Sequence, residues 1–303
     1  MTENARLPVE HPVVAQRVIA SRLADAGAEK SARLGALMQR QGAINARQVK
    51  KVLREQQKNG GRFGEIAMRL GFASAADVEI ALAVQNGRLH GDEPLSVPEG
   101  LVVIRAPQSD DAEEIRTLRS RLLTTEEKDA LRLFAVAPTS YSVGADYLSL
   151  NLAASFAQLR KRVLLIDADL RRPRIGRLIG AAPSVTGLSD VVVGQSSFEA
   201  AVRETCVVDL SVMTAGRQRY SPQDLIASDA IERILDDARA AFDHVIILTT
   251  PGKTAADGRY IWARAGAVLP VVRKNISRRR ELKALSTSLK QSRARILGAA
   301  MTV

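Results

Sequence analysis

Apolar positions follow two different rhythms along this chain. Between residues 31 and 88 they recur every three or four positions, the spacing of one helix face. Beyond about residue 111, short unbroken apolar runs alternate with helical spacing, which predicts buried strands joined by helices. The predicted strands cover 133–137, 163–167, 210–213, 245–248, 267–272 and 296–300. The predicted helices between them cover about 147–160, 222–240, 255–265 and 277–291. That order predicts a parallel sheet covered by helices on both faces. Ahead of both regions, Val14, Ile19 and Leu23 share one face of an amphipathic stretch from Val13 to Ala26, read as a docking or frayed terminal helix.

The helical region is a duplication. Residues 33–56 and 62–85 align at an offset of 29, with Arg33/Arg62, Gly35/Gly64, Arg40/Arg69, Gly42/Gly71, Ala46/Ala75, Val49/Val78, Leu53/Leu82 and Gln56/Gln85 identical. Each unit reads as a helix stopped at Gly42 or Gly71, a polar N-cap at Asn45 or Ser74, and a second helix. One such helix pair hardly buries its own apolar face, so the two copies are expected to share one core. Residues 86–110 mix Gly, Pro and charge and read as a linker. The expected organisation is a tail over 1–30, a duplicated helical domain over 31–88, a linker over 89–110 and an α/β domain over 111–303.

Composition narrows the chemistry. The 303 residues include one cysteine, Cys206, which excludes an intramolecular disulfide and a cysteine-based zinc site. The three histidines, His11, His90 and His244, have no ligand spacing. The net charge of +11 implies an anionic partner, while 4% aromatic residues poorly supply the stacking platforms of single-strand binders and argue against nucleic acid. No apolar run approaches the ~20 residues of a membrane span, and no secretory signal is evident, so the expected location is cytoplasmic, or peripheral at the inner face of the membrane.

In an open α/β sheet the loop after the first strand is the expected ligand site. Here it begins APTSYSVGADYLSLNLAASF, followed by RVLLIDADLRRPR at 162–174. From Asn151 onward, the chain resembles the bacterial tyrosine kinases of polysaccharide export, relatives of the deviant-Walker ATPases. Further matches are TGLSDVV (186–192), TAGRQRYSPQDLIAS (214–228) and AFDHVII (241–247). Glu113, Arg116 and Arg119 match the Glu-x-x-Arg-x-x-Arg pattern through which those kinases associate. The resemblance implies a P-loop NTPase-like fold, with self-association or association with an active paralogue through that helix face.

The departures carry the functional expectation. A phosphate loop needs glycines for close approach, a Lys for the β- and γ-phosphates, and a Ser/Thr hydroxyl for Mg²⁺. Aligned through Asn151, Gly144 stands at the last glycine, Ala145 at the Lys and Asp146 at the Ser/Thr. Leu248 stands where the family has a metal-shell Asp, and Thr302 where it has an adenine-reading Asn. Asp167 and Asp169 remain, either as remnants of the acidic motif or as a strand end and a cap. Asp146 is expected to cap the helix in place of a phosphate. Tyr141 and Tyr147 flank the loop and are the side chains available to fill its pocket. These features argue against Mg-ATP and for a pseudokinase. The rivals are an active autokinase or ATPase with a non-standard loop, and a deviant ATPase that positions cargo or acts on DNA.

The duplicated helices resemble the MshEN-type N-terminal domain of type II secretion and pilus-assembly ATPases, which binds cyclic di-GMP. The residues carrying that resemblance are Arg33, Leu34, Gly35, Gly42, Leu53 and Gln56, then Arg62, Phe63, Gly64, Gly71, Leu82 and Gln85. The alternative is a packing module in which the glycines only end helices. Together the two resemblances imply a non-catalytic regulator of exopolysaccharide synthesis and export. It would sense cyclic di-GMP and dock on cytosolic segments of a membrane chain-length co-polymerase.

Overall fold

A computed structural model of the chain describes residues 33–90, 97–124, 128–141, 144–182, 185–217, 220–251 and 255–302. The stretch 13–26 lies outside them. Contacts divide the described chain into two compact units, residues 33–86 and residues 87–90 with 97–302.

The first unit has four helices: α1 (33–40), α2 (Ala46–Asn59), α3 (Phe63–Arg69) and α4 (Ala75–Gln85). The expected punctuation is present in both copies. Gly42 and Gly71 have φ of +75° and +68°, left-handed backbone that stops α1 and α3. The Asn45 side chain accepts from the Gln48 N–H while Gln48 reaches back to the Asn45 N–H. Ser74 and Asp77 repeat the arrangement at α4. Such a cap contributes roughly 1 kcal/mol. The copies share one core of Leu34, Leu37, Met38, Ile44 and Val52 with Phe63, Ile66, Ala67, Val78 and Ala81.

The second unit is an eight-stranded sheet of β1 (Leu133–Pro138), β2 (Val163–Asp167), β3 (Val202–Glu204), β4 (Leu210–Met213), β5 (His244–Leu248), β6 (Ala267–Arg273), β7 (Arg295–Ile296) and β8 (Ala300–Thr302). The order is β3-β4-β2-β5-β1-β6-β7, with β8 also on β6, and every pair is parallel except β3 with β4. Its helices are α5 (Val102–Arg105), α6 (Asp110–Leu123), α7 (Ala145–Ala157), α8 (Ile175–Leu178), α9 (Leu188–Val192), α10 (Phe198–Ala201), α11 (Pro222–Ala227), α12 (Ala230–Ala241), α13 (Ala255–Ala265) and α14 (Arg279–Ser292). Helices α11–α14 bury Leu225, Ile234, Trp262 and Leu285 in the core against one sheet face. Helix α7, buried along nearly its whole length, packs against β1, β2 and β5.

Three expectations change. The helix expected over 222–240 is broken at Ser228, whose ψ of 142° is extended, and whose hydroxyl accepts from the Ala230 N–H. The strand expected over 296–300 is split into β7 and β8 around Gly298, whose φ is +109°. Part of the expected linker is packed: Leu101, Val103 and Ile104 are buried. Asn151 on α7 holds this segment, donating to the Gly100 carbonyl at 2.7 Å and accepting from the Val103 N–H at 3.3 Å.

Candidate functional site

The carboxyl ends of β1, β2 and β5 converge because these strands are neighbours. Parallel register sets Asp167 directly beside Leu248 and Leu248 beside Val136. Gly144 precedes the first residue of α7, and its left-handed φ of +68° makes the turn into the helix. Sequence positions spread over more than a hundred residues meet here.

Asp146, in the first turn of α7, is 6% exposed. It does not cap the helix as expected; its Oδ2 faces Arg174 Nη1 at 3.3 Å. The counter-charge comes from beyond β2, and among the described residues no side chain caps the start of α7. Arg174 in turn lies over the Tyr141 ring, 5.8 Å from its centroid, with Arg172 nearer at 4.7 Å.

Asp167 is fully buried and accepts from the backbone N–H groups of Asp169, Arg174 and Ile175 at 3.0–3.2 Å. Burial pushes its carboxyl up to about 7, against the pull of those donors, and neighbouring Asp169 adds to the rise. Asp169 accepts from the Arg171 and Arg172 N–H groups, and burial raises its carboxyl as well. Both acids thus serve the β2–α8 loop. Arg171 leaves this loop to pair with buried Asp257 on α13, at 2.6 Å. Arg174, Arg171 and Asp257 were not singled out by sequence. The signal for the first was a buried acid at Asp146 in need of a cation, with an Arg-rich run following Asp169.

Pro138, Ser140, Tyr141, Ala145, Asp146, Asp169, Arg174, Leu248 and Thr249 line a cavity of about 20 Å³. That is room for about one water, against roughly 300–1,000 Å³ for ordinary ligand pockets. Of the two tyrosines expected at this pocket, Tyr141 lines it and Tyr147 does not. The Tyr147 ring lies against Gly100, where a Cβ would have no room. Thr302 lies apart on β8, its hydroxyl donating to the Val272 carbonyl.

No family model matches the chain. The chain is 30% identical over 217 residues to the tyrosine-protein kinase ptk of Acinetobacter johnsonii, a match covering 71% of this chain and 29% of that protein. It is 28% identical over 203 residues to the putative tyrosine-protein kinase CapB of Staphylococcus aureus, covering 66% of this chain and 88% of that one. Among solved structures, the chimerical protein CapA2B2 superposes with a TM-score of 0.64 at 25% identity, over 69% of this chain and 91% of the other.

The α/β unit resembles the bacterial tyrosine kinases of exopolysaccharide-associated systems. It has the P-loop NTPase-like fold of their kinase domains, the Escherichia coli tyrosine kinase ETK superposing at a TM-score of 0.65. The family's length varies, and the matched region spans less than a third of the Acinetobacter kinase but most of the Staphylococcus one.

Glu113, Arg116 and Arg119 lie on α6. Glu113 is exposed and receives Arg116, at 2.7 Å; Arg116 also donates to the Pro107 carbonyl. Arg119 donates to the Ser155 carbonyl on α7 at 2.6 Å, so part of this face already holds α6 to α7. In the helical unit Arg33 and Arg62 are both exposed, and Arg62 is 3.8 Å from Glu65. Gln56 donates to the Gly61 carbonyl, while Gln85, like Leu53 and Leu82, is half-buried. Leu34 and Phe63 are core residues. Gly35 packs against Val49 and the Phe63 ring, and Gly64 against Val78, so these glycines admit close helix contact.

Proposed function

We propose that the chain is a non-catalytic member of the bacterial tyrosine kinase family, a regulator of exopolysaccharide production rather than a kinase. The observation that carries this reading is the Asp146–Arg174 ion pair, in the position where a phosphate loop would receive its ligand. The residues present do not fit Mg-ATP. Ala145 offers no cation and Leu248 no metal ligand. Asp146 is committed to Arg174, Asp167 to three backbone donors, and the cavity lined by Asp146, Asp169 and Arg174 is about 20 Å³. Phosphoryl transfer depends on electrostatic positioning of phosphate and metal, and each lost charge-assisted contact costs roughly 1.5–3 kcal/mol.

On this reading the α/β domain works by docking on cytosolic segments of a membrane chain-length co-polymerase, or on an active paralogue, with exposed Glu113 on that surface. Calorimetric titration with Mg-ATP, together with an autophosphorylation assay, tests it. Neither binding nor phosphate incorporation is expected, and turnover above a heat-denatured control would restore the autokinase reading.

The helical unit is proposed to report cyclic di-GMP. Two exposed arginines at equivalent positions of a duplication match a two-fold, dianionic ligand, and Gln56, whose amide also donates to the Gly61 carbonyl, and Gln85 stand at the second pair of equivalent positions. Arg33→Ala and Arg62→Ala should each weaken binding by one to two decades. No heat of binding at about 100 μM ligand would leave the duplication as a packing module.

A further inference from the structure

The charge of this protein is concentrated. Of its net +11, the stretch from Arg273 to Arg295 carries +8, with nine basic residues and one acid. That acid, Glu281, is buried and accepts from the Arg278 N–H at the start of α14. It therefore offers the solvent side of α14 no negative charge. Leu285 and Leu289, one and two turns beyond Glu281, are buried on the same inward face.

The opposite face carries Arg279, Leu282, Lys283, Ser286 and Lys290, spaced three, four or seven apart along one stripe. Arg279, Arg280, Leu282, Lys283 and Ser286 line a wide concavity of about 730 Å³. Among the described residues, no carboxylate pairs with Arg279, Arg280 or Lys283. Two large apolar side chains stand among these cations in water: Leu282 is 40% exposed, and Ile276, on the turn before α14, is 44% exposed.

Cations and apolar side chains interleaved on one surface match a lipid–water interface. Headgroup phosphates take the guanidinium and ammonium groups, and Leu282 and Ile276 reach the acyl boundary. A duplex would meet the same cations but would gain nothing from two exposed aliphatic chains. An acidic protein would leave the basic stripe matched but would require a complementary apolar pocket. We propose that the α14 face docks this protein on an anionic phospholipid surface. Each cation near such a surface contributes modestly, so several must act together, and salt should screen them. The proposal is independent of whether the α/β domain binds nucleotide.

Vesicle co-sedimentation of the full chain tests it, using phosphatidylcholine alone against phosphatidylcholine with about 30% phosphatidylglycerol, in about 0.1 M salt. Binding is expected only to the anionic vesicles. Arg279→Glu/Arg280→Glu/Lys283→Glu should weaken it at least tenfold. Arg47→Glu/Lys50→Glu/Arg54→Glu makes the same charge change on exposed positions of α2 and should alter it less than twofold. Leu282→Ser should reduce the binding that survives at about 0.5 M salt. Equal loss in the two triple variants would overturn the proposal by showing that only net charge matters. Displacement of the vesicles by equimolar duplex DNA would overturn it in favour of a nucleic-acid partner.

Discussion

Asp146 and Arg174, 28 positions apart in the chain, meet at 3.3 Å across the end of the sheet. Asp146 is almost wholly buried, and Arg174 keeps about a third of its side chain in water. This contact joins the first turn of α7 to the residue just before α8. Its energetics follow from the asymmetry of burial. The acid depends on the Arg more than the Arg depends on the acid.

Arg174→Leu should therefore destabilise more than Asp146→Ala. A partner removed from a fully buried pair costs about 3–5 kcal/mol; with Arg174 partly solvated, about 1–3 kcal/mol is expected. Urea unfolding of the two single variants and the double should give a double loss smaller than the sum. Additive losses would mean that the pair is not coupled.

Ala145→Lys alone should not create kinase activity. The new ammonium would enter a space already holding the Arg174 guanidinium, and Leu248 would still supply no metal ligand. Radiolabelled phosphate incorporation is the measurement, with the background of the parent protein expected.

Gly64→Ala should cost about 1–3 kcal/mol by overpacking, because its Cβ would lie 2.6 Å from Val78 Cγ1. Adding Val78→Ala should recover part of that loss by removing the clashing methyl. Thermal unfolding of both variants separates a packing role for this glycine from a ligand role, since the rescue needs no ligand.

Asp167 predicts a pH dependence of defined sign. Its carboxyl titrates at about 7 in the folded protein because burial disfavours the charge, against an ordinary value of 3.8. Between those values the folded state holds a proton that the unfolded state has released, so stability falls as pH rises from about 4 to about 7. The whole contribution is on the order of 4 kcal/mol. Asp167→Asn should flatten the slope of unfolding free energy over that window, measured by urea unfolding at intervals of pH. A parallel slope in wild type and variant would assign the dependence to other groups.

What the sequence by itself determined is what depends on near neighbours. Glycines at Gly42 and Gly71, caps at Asn45 and Ser74, and the apolar runs of β1, β2, β4, β5 and β6 act within one turn or one strand, so period and punctuation revealed them. The duplication was equally legible, because equal environments in one shared core select equal residues. The break at Ser228 and the kink at Gly298 were not, since each depends on how the flanking segments pack. Only the tertiary structure decided the partners at the candidate site. Arg174 reaches Asp146, Arg171 reaches Asp257 86 positions away, and Leu248 stands beside Asp167 because β5 lies next to β2. An isolated charge in a sequence states that it needs a counter-charge or water. Which one it finds is set by strand order and register, and these arise from the packing of the whole sheet.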